Sequence, residues 1–198
     1  MATAVDFYFD FSSSYSYISL PGIERLSQEQ GVEFKWKPFL LGVIFNASNH
    51  APPDVSTAKG RYIHRDVERC AAHAGLPFEW PRPFPFSSLS AARVFWALAD
   101  ESNTRAIEWA RAIFHASFGE GRDCSDADVL AELAIKLGHN AAELLEASGS
   151  DRVKQKLRTV TDEAMKRGVF GAPTFFVGDE MFWGSDRLED LSRYLADS

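Results

Sequence analysis

Apolar and polar residues alternate at the start of the chain, which is the pattern of half-buried strands. Residues 5–11 and 32–38 are two such segments, and the aromatic residues of the first favour a sheet. Between them, residues 15–30 have helical spacing, in which Pro21 predicts a kink and Gly31 predicts the helix end. Because a strand–helix–strand unit of this length joins parallel neighbours, the pattern predicts two parallel strands and one kinked helix.

The middle of the chain follows a helical period almost throughout. Residues 39–57 have no sustained period and predict a loop with about one helical turn. Beyond them, apolar residues recur every three or four positions as far as Ala164, except in a proline-rich connector at residues 76–86 and a break at residues 119–123. Side chains that commonly cap helices mark three of the predicted starts, namely Ser88, Ser125 with Asp128, and Asn140 with Glu143.

The strand pattern returns near the C-terminal end. Residues 173–177 and 181–183 are apolar runs separated by a short loop with Gly178, which predicts a hairpin. Ser185 then predicts the cap of a last helix.

The strands therefore lie at the two ends of the chain and the helices lie between them. The order β-α-β, helices, β-β-α is explained by a single α/β domain with an insertion better than by two successive domains. We expect the α/β domain to comprise residues 1–40 and 169–198, and the all-helical insertion to comprise residues 41–168.

Composition excludes several classes of partner. The 198 residues carry a net charge of −7, which argues against nucleic acid as a partner, and no apolar run is long enough to predict a membrane span. The N-terminal residues lack the pattern of a signal peptide. The two cysteines, Cys70 and Cys124, have no paired spacing, so they predict neither a disulfide framework nor a metal site. We therefore expect a cytoplasmic protein.

The first candidate for chemistry is a run of serines that follows the first strand. Ser13 and Ser16 have the spacing S-x-x-S at the start of the first helix, where thioredoxin-type proteins have C-x-x-C. Free backbone N–H groups at such a place can hold an anion or a thiolate. A hydroxyl cannot form a disulfide, so a thioredoxin-like fold with these serines has lost dithiol chemistry. Helix capping alone is the other interpretation of these serines.

Two further segments complete a candidate site. Residues 171–175 fit either the entry to an edge strand or the cis-proline loop of thioredoxin folds, with Pro173 as the proline. Residues 183–187 fit either a capped helix start or a site for a zwitterionic head group, in which Asp186 binds the ammonium. In a thioredoxin fold these segments and Ser13 line one face. Such a face fits a short peptide with a central thiol, and glutathione is the obvious ligand.

The combined motifs resemble the 2-hydroxychromene-2-carboxylate isomerase family, which is grouped with kappa-class glutathione transferases and DsbA-like oxidoreductases. The resemblance extends over essentially the whole chain and rests chiefly on residues 6–11, 13–17, 170–174 and 183–187. It implies a thioredoxin-like domain with a helical insertion, of the DsbA and kappa-transferase type, in a homodimer.

The resemblance also implies glutathione as cofactor, with Ser13 as the catalytic serine. Carried over by position, the Ala172 backbone would pair with the cysteinyl part, and Ser185 and Asp186 would hold the γ-glutamyl head. The full set of implied glutathione-binding residues is Ser14, Tyr15, Asn49, Lys59, Ala172, Pro173, Ser185 and Asp186. Ser14 departs from the family, which commonly has proline there.

The function that the resemblance implies is a glutathione-dependent isomerisation in aromatic catabolism. Reversible addition of a thiolate would interconvert 2-hydroxychromene-2-carboxylate and trans-o-hydroxybenzylidenepyruvate. The alternatives are a kappa-type transferase, a DsbA-like redox protein and a non-catalytic glutathione-binding module. For the aromatic ring of the substrate we expect an apolar cleft, and for its carboxylate a cation such as Lys59 or Arg61. The candidate cleft residues are Phe39, Phe45, Trp80 and Phe84, for each of which core packing is the other interpretation. For Lys59 and Arg61 the other interpretation is a solvated charge at a helix start.

Overall fold

The computed structural model describes residues 4–48 and 54–197, and these contain a four-stranded mixed sheet. Its strands are β1 (Ala4–Phe9), β2 (Glu33–Pro38), β3 (Thr174–Val177) and β4 (Glu180–Trp183), in the spatial order β2-β1-β3-β4. Strand β1 is parallel to β2 and antiparallel to β3, and β4 is antiparallel to β3. The predicted parallel pair and the predicted hairpin are therefore both confirmed.

Ten α-helices surround this sheet in the described part of the chain. They are α1 (Ser14–Ile18), α2 (Leu20–Gln30), α3 (Leu41–Ser48), α4 (Ala58–His73), α5 (Leu89–Ala99), α6 (Asn103–Phe114), α7 (Ala127–Lys136), α8 (Ala141–Ser148), α9 (Asp151–Lys166) and α10 (Leu188–Ala196). A π-helical turn, His115–Gly119, extends α6, and a 3-10 turn, Ser185–Arg187, precedes α10. None of the described helices is long and apolar enough to cross a membrane.

The aromatic residues of the strands form the centre of the core. The Phe7 ring stacks on Phe9 and Phe175 at centroid distances of 4.9 and 5.1 Å, and Trp36 meets its edge at 5.1 Å. Phe9 in turn contacts Phe95 of α5 at 5.8 Å, so the sheet and the middle helices share one apolar core. The proposed division at residues 40 and 168 stays a prediction, as does the homodimer.

Two predicted elements begin or end differently in the structure. The helix expected over residues 15–30 is two helices that meet at Ser19, because Pro21 falls in the first turn of α2, where no intrahelical bond to its nitrogen is needed. The loop expected over residues 39–57 contains the eight-residue helix α3. Its first N–H, from Leu41, donates to the Asp10 carboxylate at 2.7 Å. A partner 31 residues away leaves no local signal.

The predicted caps also need correction. Helix α7 is capped by Asp126, which accepts from the Asp128 N–H at 2.8 Å, whereas both polar groups of Ser125 are bound to Asp123. Ser185 starts the 3-10 turn and does not cap α10. Ser88 precedes α5 without a capping side-chain bond. The cap predicted at Asn140 is confirmed by its bonds to the N–H groups of residues 142 and 143.

A network of charged groups joins α9 to the sheet. Lys37 on β2 lies 3.1 Å from both Asp6 and Glu163, and the Tyr8 hydroxyl donates to Glu163 at 2.6 Å. Arg167 completes it, at 2.8 Å from Asp6. Burial favours neutral Glu163, but hydrogen bonds from Tyr8 and Lys37 outweigh it and lower the pKa of that carboxyl. Glu163 is therefore a charged carboxylate at neutral pH, paired with Lys37.

Candidate functional site

The turn between β1 and α1 is held by a buried carboxylate. Asp10 accepts from the N–H and the hydroxyl of Ser12, each at 2.7 Å, and its other oxygen accepts from Leu41. The Ser13 N–H donates to the Asp10 carbonyl at 3.0 Å. These bonds fix the backbone at the C-terminal end of β1 and so set the position of Ser13.

The Ser13 hydroxyl makes two hydrogen bonds, one within its own helix and one to a distant part of the chain. It caps α1 by accepting from the Ser16 N–H at 3.2 Å, and it donates to the Ala172 carbonyl at 2.8 Å. The side chain is nearly buried, with Ser13 at 8% exposure. The capping bond explains why a serine precedes this helix. The bond to Ala172 directs the hydroxyl proton of Ser13 toward the cis-proline segment.

The segment opposite Ser13 has the predicted cis-proline. The Ala172–Pro173 peptide bond is cis, and both residues are buried. Within the described residues, the Ala172 N–H donates to no acceptor. The residue before the cis-proline therefore presents a free backbone donor beside a carbonyl that already meets Ser13.

The third predicted segment lies against the other two. The Gly184 N–H donates to the Pro173 carbonyl at 2.9 Å, and the 3-10 turn that follows packs on α1. Gly184 has a φ of 115°, and a Cβ there would lie 2.3 Å from a carboxylate oxygen of Asp186. Glycine at this position therefore leaves room for the Asp186 carboxylate, which also pairs with Arg187 at 2.8 Å.

Tyr15 connects α1 to α4 and to the 3-10 turn. Its hydroxyl donates to Asp66 at 2.9 Å, and burial, followed by Asp66 and then more weakly by Cys70 and Asp186, raises the pKa of Tyr15. The Cys70 thiol lies 3.8 Å from the same Asp66 carboxylate, and burial raises its pKa. The Tyr15 hydroxyl is thus neutral and donates its proton to Asp66, and Cys70 is a thiol and not a thiolate.

Sequence reasoning missed Asp66. The only local signal was an acidic residue beside Ile63 and Val67 on the inward side of an amphipathic helix. Such a residue needs a partner from elsewhere in the chain, and its partner, Tyr15, lies 51 positions away.

The remaining predicted binding residues differ in how they are placed. Ser14 is buried as the first residue of α1. Lys59 is exposed in the first turn of α4, about 10 Å along the helix axis from Asp66, and its side chain makes no hydrogen bond or ion pair with the other predicted site residues that the structure describes. Arg61 donates to the carbonyls of Val55 and Ser56 and so stabilises the preceding turn. Asn49 lies outside the described residues.

Of the four residues named for the expected aromatic cleft, one is excluded by its burial and three are partly exposed. Phe39 is fully buried beside Tyr8 and belongs to the core, which corrects its prediction as a cleft residue. Trp80 and Phe84 pack on each other at 4.8 Å, and His64 stacks on Trp80 at 3.9 Å. Phe45 is partly buried in α3. Trp80 also contacts Phe78 at 5.0 Å, and Phe84 contacts Phe118 at 6.2 Å, so both belong to a partly exposed aromatic cluster whose role in substrate binding stays a prediction.

Ser16, at the second position of the S-x-x-S spacing, has a side-chain hydroxyl without a hydrogen-bond partner among the described residues. This hydroxyl is fully buried. Since an unpaired buried hydroxyl is destabilising, Ser16→Ala is expected to raise the free energy of unfolding by about 1 kcal/mol in urea titrations.

Ser19 provides the matched control for that substitution. It is equally buried, but its hydroxyl donates to the Ser16 carbonyl at 2.7 Å. Ser19→Ala is therefore expected to lower the free energy of unfolding by about 1 kcal/mol. Equal losses in the two variants would show that the Ser16 hydroxyl has a partner after all.

Comparison with known proteins agrees with this geometry. The family model of the DsbA-like thioredoxin domain matches residues 4–196. The chain therefore belongs to the DsbA-like thioredoxin family, and the predicted fold class is confirmed.

Particular relatives narrow the group. A 2-hydroxychromene-2-carboxylate isomerase of Sphingobium xenophagum is 33% identical over 199 residues, covering 100% of both chains. Glutathione S-transferase kappa 2 of Caenorhabditis elegans is 32% identical over 209 residues, covering 98% of this chain and 92% of that one. A solved structure of a 2-hydroxychromene-2-carboxylate isomerase is similar with a TM-score of 0.85 and 28% identity, covering 98% of this chain and 95% of the other. The resemblance drawn from the motifs is confirmed.

Proposed function

We propose that this protein is a glutathione-dependent isomerase of aromatic catabolism, acting on 2-hydroxychromene-2-carboxylate or a related intermediate. The observation that carries the proposal is the Ser13 hydroxyl, nearly buried at the start of α1 and hydrogen-bonded to the carbonyl of the residue before a cis-proline. The names of the relatives described above support the same reaction.

The residues present fit glutathione as the cofactor. The unused Ala172 N–H and the adjoining carbonyl would pair with the backbone of the cysteinyl part, as a short added strand does. The Asp186 carboxylate and the Ser185 hydroxyl would hold the ammonium and carboxylate of the γ-glutamyl head. Ser14, Tyr15, Pro173, Lys59 and Asn49 would complete the set of glutathione-binding residues.

Glutathione, when bound, supplies a thiolate that adds reversibly to the substrate. The part of Ser13 is to direct its hydroxyl proton at the sulfur in place of the Ala172 carbonyl, because a hydrogen bond to the charged form lowers the pKa of a thiol. The same oxygen keeps accepting from the Ser16 N–H, since a hydroxyl can donate and accept at once. Ser13 therefore acts as a donor held in place by its own helix.

The redox alternative is disfavoured by the chemistry of the sulfur atoms. Ser13 and Ser16 occupy both positions of the redox pair, and neither cysteine substitutes for them. Cys124 is buried away from the site beside Ile113, and burial raises its pKa to about 12. The kappa-type transferase remains the second candidate, and the identity to the Caenorhabditis elegans transferase supports it.

An absorbance assay separates the two. Purified protein is mixed with 2-hydroxychromene-2-carboxylate, with and without glutathione, and free thiol is counted at the end. We expect conversion that depends on glutathione and leaves the thiol count unchanged. Failure to convert this substrate, together with consumption of thiol in the presence of a chlorinated aromatic electrophile, would contradict the isomerase and favour the transferase.

A further inference from the structure

Two large aromatic side chains are half exposed beside the candidate site. Trp183 is 51% and Phe170 48% exposed, although each belongs to a residue type that usually buries its ring. Their rings meet edge to face, with centroids 4.7 Å apart. They form a continuous apolar surface, the Phe170–Trp183 pair, and such exposed surfaces commonly mark binding sites.

The sheet topology places this pair at the same end as Ser13. Strand β1 runs toward Ser13, and β3 begins just after Pro173 and runs the opposite way. Strand β4 then returns and ends at Trp183, which lies opposite Thr174 in the register. The C-terminal ends of β1 and β4 and the start of β3 therefore meet at one edge of the sheet.

Close packing holds the indole against the cis-proline loop. A Cβ on Gly171 would lie 2.2 Å from the indole nitrogen of Trp183, so the ring rests directly on the Gly171 backbone. Gly171 is followed by Ala172, whose carbonyl accepts from Ser13. Phe182, by contrast, packs against Tyr194 of α10, so the alternation along β4 turns Trp183 to the other face. The indole thus lies against Gly171, the residue that precedes the acceptor of the Ser13 hydrogen bond.

We propose that the Phe170–Trp183 pair is the contact surface for the aromatic ring of the substrate, and that Trp183 determines specificity for planar aromatic carboxylates. This proposal rests on the proposed function. The pair offers about 200 Å² of ring surface, which suits one aromatic ring and is far below the about 800 Å² per partner of a stable protein interface. Its rings are about half exposed, whereas Phe39 is fully buried in the core.

Calorimetric titration with trans-2-hydroxycinnamate, a planar aromatic carboxylate, tests the proposal without turnover. Trp183→Leu is expected to weaken binding about tenfold, because the stacking surface is lost. Trp183→Phe keeps an aromatic ring and is expected to stay within about threefold of the wild type. Met181→Ala, on the same strand and face but two residues from the sheet end, is expected to change nothing. Thermal melting confirms that each variant is folded.

The outcomes separate this proposal from the function on which it rests. Loss of binding in Trp183→Leu with recovery in Trp183→Phe supports the pair as a ring site, even if no glutathione-dependent turnover is found. Unchanged affinity in a folded Trp183→Leu, equal weakening in Met181→Ala, or no binding to the wild type would overturn it. If the wild type is an active isomerase and Trp183→Leu has the same KM for the aromatic substrate, the ring site is overturned and the proposed function stands.

Discussion

Ser13→Ala is expected to lower kcat/KM of the glutathione-dependent isomerisation by about 10- to 100-fold. The substitution removes a hydrogen bond to a charged sulfur, which contributes about 1.5–3 kcal/mol, and about 1.4 kcal/mol corresponds to a factor of ten. Steady-state kinetics at saturating and limiting glutathione measure the loss. Because the hydroxyl also caps α1, the variant is expected to lose about 1 kcal/mol of stability as well.

Two further substitutions separate the lost cap from the lost donor. Glycine lacks the hydroxyl but is a better helix cap than alanine. Ser13→Gly should therefore lose as much activity as Ser13→Ala but less of the free energy of unfolding. Ser13→Thr keeps a hydroxyl and is expected to retain most of the activity. A folded Ser13→Ala variant with full activity would remove Ser13 from the reaction.

Lys37→Met is expected to lower the free energy of unfolding by about 2 kcal/mol and the melting temperature by about 5 °C. Lys37 is largely shielded from solvent between Asp6 and Glu163, and its loss leaves two carboxylates with one cation, Arg167. Thermal melts and urea titrations measure the effect. Lys35→Met is the matched control, since Lys35 is exposed on the same strand and has no ion pair with a described residue; we expect a change below about 0.5 kcal/mol.

The pH dependence gives an independent check of the same network. The pKa of Glu163 is lower in the folded protein than in the unfolded chain, so its contribution is complete above the unfolded value of about 4.3. This contribution to the free energy of unfolding is lost as the pH falls through the pKa that Glu163 has in the folded protein. The difference between wild type and Lys37→Met should therefore narrow in acid. A Lys37→Met protein as stable as Lys35→Met at neutral pH would contradict the assigned role.

Local patterns were enough to predict most of the fold. The alternation in β2, the hairpin glycine and the cap at Asn140 each specify structure within a few residues, and each was found where it was expected. The order of strands and helices then limited the topology to an α/β fold with an insertion. The cis bond before Pro173 was predicted from the way three motifs would meet, and it is present.

What the sequence did not predict depends on partners that are distant along the chain. Helix α3 starts at a contact between Leu41 and Asp10, and Asp66 acquires its role through Tyr15. Phe39 could not be assigned to the core until its neighbour Tyr8 was known, because an aromatic residue after a strand suits a cleft equally well. The Phe170–Trp183 pair lies in two of the motifs that carry the family resemblance, but the exposure of its rings is visible only in the folded structure.

The most direct test of the central claim is the ionisation of glutathione bound to the protein. The ultraviolet absorbance of the thiolate is followed as the pH of the complex is raised, with free glutathione and the Ser13→Ala complex as references. A hydrogen bond from Ser13 to the charged sulfur predicts a thiol pKa about one to two units below that of free glutathione, and most of that shift should disappear in Ser13→Ala. A bound thiol that ionises at the same pH as free glutathione would contradict the account.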